Sequence, residues 1–140
     1  MEAAADATAA PSGVVLCIED HVGNMALVED ILAAYPGIRL IKAYNGRDGV
    51  RLALDEQPDL VLLDMGLPDI GGLEVVRALN EAISRRRLRV VLLTGEPFSM
   101  DIVKAMSLGA HEYWPKPFNV EQMRAGLLRL LGLALRQRPA

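Results

Sequence analysis

Five residues carry the chemistry this sequence offers. Glu19 and Asp20 form an acidic pair, Asp64 supplies a third carboxylate, Thr94 a hydroxyl and Lys116 an ammonium. Each closes or follows a short apolar run: VVLCI before Glu19, LVLL before Asp64, VVLL before Thr94 and EYWP before Lys116. Brought together, three carboxylates repel, and each resists ionising unless a cation compensates. Such a cluster calls for a hard divalent metal with oxygen ligands, Mg²⁺ above all. With the hydroxyl and ammonium beside it, the set has the parts that neutralise and orient a phosphoryl group during in-line transfer, where positioning and charge stabilisation supply most of the catalysis.

Whether these residues meet depends on the elements that carry them. Short continuous apolar runs, at 14–18, 38–42, 60–63 and 90–93, read as strands, with a fifth short one at 112–114. Between them lie segments of helical period. Leu27, Val28, Ile31, Leu32 and Tyr35 form the stripe of a helix over 24–35, stopped by Pro36 and Gly37. Val50, Ala53 and Leu54 mark a second, residues 73–83 a third, and Phe98, Ile102, Ala105 and Met106 a fourth over 98–108. In the last, Asn119 and Gln122 have the spacing of a capping box, and Val120, Met123, Leu127, Leu130 and Leu131 line one face. Strands buried on both sides and joined by helices predict an α/β fold, a doubly wound parallel sheet of five strands and five helices. Ligands of such sheets bind at the carboxyl ends of the strands, where all five residues stand.

At 140 residues, 51% of them hydrophobic, the chain has the size and core of one domain. Residues 1–12 read as a flexible tail, 13–135 as the domain and 136–140 as a second tail. A net charge of −3 offers no positive field for nucleic acid or an anionic membrane. No apolar stretch approaches the roughly 20 residues that cross a bilayer, and no signal peptide is present, so a cytoplasmic protein is expected. Cys17, the one cysteine, precludes an internal disulfide and reads as an inert buried thiol.

The acidic pair Glu19-Asp20 with Asn24 following, the run Asp64-Met65-Gly66-Leu67-Pro68-Asp69-Ile70-Gly71-Gly72, Thr94 closing the fourth strand, and Lys116-Pro117-Phe118 resemble, over about residues 14–131, the response-regulator receiver domain. Together and in this order they are highly specific. The resemblance implies a flavodoxin-like (βα)5 fold with strand order 2-1-3-4-5. It implies a two-component phosphorelay in which Asp64 accepts a phosphoryl group from a histidine kinase or histidine phosphotransfer protein. Mg²⁺ would be bound by Asp20, Asp64 and the carbonyl of Met65, with Glu19 acting through water. Lys116 would pair with phosphoryl oxygens and Thr94 would hydrogen-bond one of them. That movement is coupled in the family to an aromatic residue, here Tyr113, so Thr94 and Tyr113 would form the switch. The readout face would be the fourth helix, fifth strand and fifth helix. Such a domain is a switch rather than an enzyme, catalysing only its own phosphorylation and dephosphorylation, and the bond Lys116-Pro117 is often cis in the family.

Gly66 and Glu96 fall where the family varies and where side chains tune access of water to the phosphoryl group. Pro115 stands directly before Lys116, and proline fits a strand only at a sheet edge, which the fifth strand would be. His21 and His111 read as loop residues without catalytic duty, and Arg85, Arg86, Arg87 and Arg89 as a solvated helix end. With nearly all the chain in one domain, signalling would go to a downstream protein target. The leucines of the last helix would serve a homodimer or the core equally well. The alternative is a phosphate-independent interaction module on the same fold, which would have no physical need for repelling charges at Asp64 and its neighbours. A small flavodoxin-like enzyme or nucleotide binder would need a glycine-rich phosphate loop where Glu19 and Asp20 stand.

Overall fold

A computed structural model describes residues 10–136, with side chains through residue 132. The order is β1 (Ser12–Ile18), α1 (Val22–Leu32), β2 (Gly37–Ala43), α2 (Gly46–Glu56), β3 (Leu60–Asp64), α3 (Gly72–Ala78), α4 (Asn80–Arg86), β4 (Arg89–Thr94), α5 (Met100–Ser107), β5 (Glu112–Pro115) and α6 (Val120–Arg136). All strands are parallel, in the order β2-β1-β3-β4-β5. This is the expected doubly wound arrangement, and β1, β3 and β4 are its interior strands.

Those interior strands need apolar side chains on both faces because helices cover both. Leu16, Ile18, Val61, Leu63, Val90 and Leu92 face one core layer, under α2 to α5. Val15, Cys17, Leu60, Leu62, Val91 and Leu93 face the other, under α1 and α6. Every residue of β3 and β4 is buried. Cys17 is fully buried, and burial together with the nearby Glu19 and Asp64 carboxylates pushes its thiol far above the ordinary range, as expected of an inert group.

Several boundaries differ from the sequence expectation. Strand β1 starts at Ser12, the last residue of the supposed tail and two residues before the expected strand, since Ser12 and Gly13 pair with Gly37 and Ile38. Residues 1–9 and 137–140 of the two expected tails lie outside the described residues. Helix α1 begins at Val22 because the His21 side chain caps it, accepting from the N–H of Asn24, and it ends at Leu32, so that Tyr35 packs on the core from a turn. The expected single helix over 73–83 is two segments. At Leu79 (φ −96°, ψ 3°) the N–H is shared between the carbonyls of Val75 and Val76, a tightened turn, and Asn80 donates its side-chain amide to the Leu108 carbonyl. Helix α5 begins at Met100, capped by the Ser99 hydroxyl, so Phe98 precedes it and is 91% exposed instead of facing the core. Leu54 and Val120 are also exposed, whereas Met25, absent from the expected stripe, is buried. Asn119 caps α6 as its spacing predicts, accepting from the N–H of Gln122 at 2.9 Å.

Candidate functional site

The backbone pairing of the sheet runs on past the strand ends and thereby fixes the residues at its rim. Glu19 N–H donates to the Ala43 carbonyl (2.9 Å), Met65 N–H to Leu93 (3.1 Å) and Lys116 N–H to Thr94 (2.8 Å). Glu19, Asp20, Asp64, Met65, Thr94 and Lys116 all line one cleft of about 460 Å³ at the carboxyl edge. Carboxylate oxygens of Glu19, Asp20 and Asp64 lie within 4.8 Å of one another.

Glu19 is wholly buried and Asp64 nearly so. A buried charge needs partners, and both have them. Glu19 accepts from the His21 N–H (3.2 Å) and the Asn24 side-chain amide (3.1 Å), and its Oε1 lies 3.2 Å from the Lys116 ammonium. Asp64 Oδ1 accepts from the Gly66 N–H (3.1 Å) and from Lys116 (3.0 Å). Burial, and then the adjacent Asp64 carboxylate, pushes the Glu19 carboxyl above its ordinary value. Burial pushes Asp64 up as well, but the Gly66 N–H and the Lys116 ammonium outweigh it and hold this carboxyl below the usual range. Lys116 stays charged for the converse reason: the two carboxylates overcome the effect of burial and raise it.

Thr94 is buried and its hydroxyl oxygen accepts from the Glu96 N–H at 2.9 Å, which leaves the hydroxyl proton available to another acceptor in the cleft. Tyr113 is partly exposed on β5, paired with Leu92 and not with the cleft. Gly66 is open above Asp64: a Cβ there would meet only Asp64 Oδ1, at 3.9 Å. The Lys116-Pro117 bond is cis.

The donor set is three carboxylates, hard oxygens on a rigid frame, and it suits a divalent cation of the Mg²⁺ type. A profile of the response regulator receiver domain matches residues 15–128. The chain belongs to that family. The polar-differentiation response regulator DivK of Brucella anthropi is 31% identical over 118 residues, covering 84% of this chain and 95% of DivK. The transcriptional regulatory protein YkoG of Bacillus subtilis is 36% identical over 125 residues, covering 89% of this chain and 52% of YkoG, so the chain spans about half that relative's length. Among solved structures, the receiver domain of the sensor histidine kinase PA1611 from Pseudomonas aeruginosa superposes with a TM-score of 0.75 at 26% identity, covering 86% of this chain and 98% of that one, and it carries a magnesium ion in its active-site cleft. This chain is thus a receiver domain of two-component signalling, with an acidic cluster compatible with Mg²⁺. Among the described residues no helix is long and apolar enough to cross a membrane.

Two contributors escape sequence reasoning. His21, expected as a loop residue, caps α1 through Nδ1 and donates its N–H to Glu19, closing the acidic loop on itself. Asp69, in the run that follows β3, accepts the N–H groups of Gly46 and Arg47 on its carboxylate. A helix-capping histidine directly after two acids was the available signal for the first.

Proposed function

We propose that the chain is a phosphoacceptor switch in which Asp64 takes a phosphoryl group from the phosphohistidine of a histidine kinase or histidine phosphotransfer protein. A carboxylate oxygen of Asp64 forms a bond to phosphorus as the bond from phosphorus to the imidazole nitrogen breaks, and the electron pair leaves with the imidazole. The observation that carries this reading is the Lys116 ammonium 3.0 Å from Asp64 Oδ1, inside a cluster of three carboxylates. An ion pair at this point serves no packing purpose, yet it leaves the nucleophile ionised and sets a cation where phosphoryl oxygens would arrive.

Asp20, Asp64 and the Met65 carbonyl would hold Mg²⁺, with Glu19 acting through water; the bound ion supplies charge neutralisation and orientation of the phosphoryl oxygens. Gly66 N–H and Lys116, both already on Asp64, would transfer their hydrogen bonds to the new oxygens. The free proton of Thr94 gives that side chain a reason to turn toward the phosphoryl group, and a shift of the loop after β4 would be passed to Tyr113 and the exposed α5 and β5 surface. The readout is a downstream protein target that binds this surface.

The test is incubation with acetyl phosphate with and without Mg²⁺, read by intact mass on wild type and Asp64→Asn. One added phosphoryl group, dependent on Mg²⁺ and absent from Asp64→Asn, is expected. No gain with any donor, a histidine kinase included, would leave the phosphate-independent interaction module as the better reading.

A further inference from the structure

Asp69 is exposed and lies outside the cleft, yet both its carboxylate oxygens are engaged by another element. Oδ1 accepts from the Gly46 N–H at 2.7 Å and Oδ2 from the Arg47 N–H at 2.9 Å, across 23 and 22 residues of sequence. These are the first donors of α2, and the next, the Asp48 N–H, is taken by the Asn45 side chain at 2.8 Å. Asn45 is the ordinary cap of this helix. What Asp69 adds is a tie between the helix and the loop joining β3 to α3.

That loop is pinned by two close approaches besides. A Cβ on Gly46 would stand 2.5 Å from Ile70 Cγ1 and 3.1 Å from the Ile70 carbonyl, so α2 and the loop touch where only glycine fits. A Cβ on Gly72 would stand 2.5 Å from Met65 Sδ and 2.8 Å from Met65 Cα, so the far end of the loop folds back on its beginning. The loop brings the Gly66 N–H onto Asp64 and carries Met65 on the cleft wall, where the proposed function assigns its carbonyl, the acceptor of the Gly72 N–H at 3.4 Å, to the cation. The aim of such main-chain groups depends on the conformation of the whole loop.

We propose that Asp69 is a positioning residue for the phosphoacceptor site: by fastening the loop to the start of α2 it holds the Met65 carbonyl and Gly66 N–H where cation and phosphoryl oxygens need them. This rests on the proposed function and adds a residue to it. A merely structural cap would stabilise the fold without touching the cleft, and the Asn45 side chain supplies that comparison on the same helix end.

The experiment titrates the full chain with Mg²⁺, follows the amide resonances of Met65 and Gly66, and measures urea unfolding of each variant without metal. Asp69→Ala should weaken Mg²⁺ binding by about tenfold, the scale of loss when a group that orients a ligand is removed. Asp69→Asn, which keeps the shape and one acceptor oxygen, should lose less. Asn45→Ala should lose stability while binding Mg²⁺ within about twofold of wild type, having left the loop tie intact. Wild-type Mg²⁺ affinity in both Asp69 variants would overturn the inference and leave the proposed function standing, as would an equal loss of affinity in Asn45→Ala. Absence of any Mg²⁺ response in the wild type would overturn both.

Discussion

Replacing Lys116 with methionine keeps the length of the side chain and removes its charge. The ammonium stands 3.0 Å from Asp64 and 3.2 Å from Glu19. At an effective dielectric constant of about 20, each contact is worth about 5 kcal/mol of Coulomb attraction. Removing one partner of a buried ion pair costs about 3–5 kcal/mol in practice, because the other is left uncompensated. The Lys116 side chain is 24% exposed, which puts the expected loss at the lower end, about 3 kcal/mol. Without metal the variant can escape only by protonating a carboxylate. From the ordinary glutamate value of 4.5, that costs about 5 kcal/mol at pH 8 and about 2 kcal/mol at pH 6. The escape is closed at the first pH and open at the second. The Glu19 carboxyl already stands above its ordinary value, and removing the cation raises it further. It therefore penalises folding above its folded pKa, and the penalty fades as pH falls through it. Urea unfolding in EDTA, followed by the fluorescence of Trp114, should show Lys116→Met about 3 kcal/mol less stable than wild type at pH 8, with a gap of about 2 kcal/mol or less at pH 6. Added Mg²⁺ should narrow the gap at pH 8, since a divalent cation supplies the missing charge. A variant within about 1 kcal/mol of wild type at pH 8 in EDTA, or one whose deficit grows on acidification, would refute the assignment of Lys116 as counter-ion to both carboxylates.

Two further outcomes follow from the geometry. Gly49→Ala places a Cβ 2.5 Å from Ile18 Cδ1 and 2.8 Å from two more atoms of that fully buried side chain; overpacking of about 1–3 kcal/mol should outweigh the roughly 0.5–1 kcal/mol gained by removing glycine from a helix interior. Chemical denaturation should therefore find it less stable than wild type, and an equal or higher midpoint would count against the packing at this contact. At Asp69, slight burial is outweighed by the N–H groups of Arg47 and Gly46, which hold the carboxyl down at about 2 against an ordinary 3.8. A depressed carboxyl stabilises fully above the unfolded value and loses its effect as pH falls through the folded one. The stability gap between wild type and Asp69→Asn should thus stay level down to about pH 4 and close between there and about pH 2; a gap unchanged across that window would contradict the hydrogen bonds to α2.

The interior strands are legible in the sequence because burial on both faces leaves unbroken apolar runs, and a charged or hydroxyl residue at the end of each run marks where the sheet meets water. That is why Glu19, Asp64 and Thr94 are legible as residues of the sheet's rim. Phe98 shows where periodicity fails: it keeps the spacing of a buried face, but the Ser99 hydroxyl starts the helix after it, and spacing cannot distinguish a first turn from the loop before it. Leu79 shows a second limit, since nothing apolar changes there and the break lies in a shared hydrogen bond and in the tie from Asn80 to a carbonyl 28 residues away. Asp69 is illegible for the same reason, because its partners are distant main-chain N–H groups that leave no side-chain pattern.

Pro115 has a consequence beyond its tolerance at the sheet edge. Successive residues of a strand point their main-chain groups to opposite sides, and Lys116 donates its N–H inward to Thr94, so the position before it faces away from β4. The donor that proline lacks is one an incoming strand would have used. The open side of β5 therefore offers a broken ladder to any incoming chain, including another copy during a moment of loosened packing. A partner that docks here has to recognise rings and charges standing off the strand, such as the Tyr113 phenol and the Glu112–Arg129 ion pair. The last strand can thus be read by its side chains while remaining a poor template for uncontrolled sheet growth.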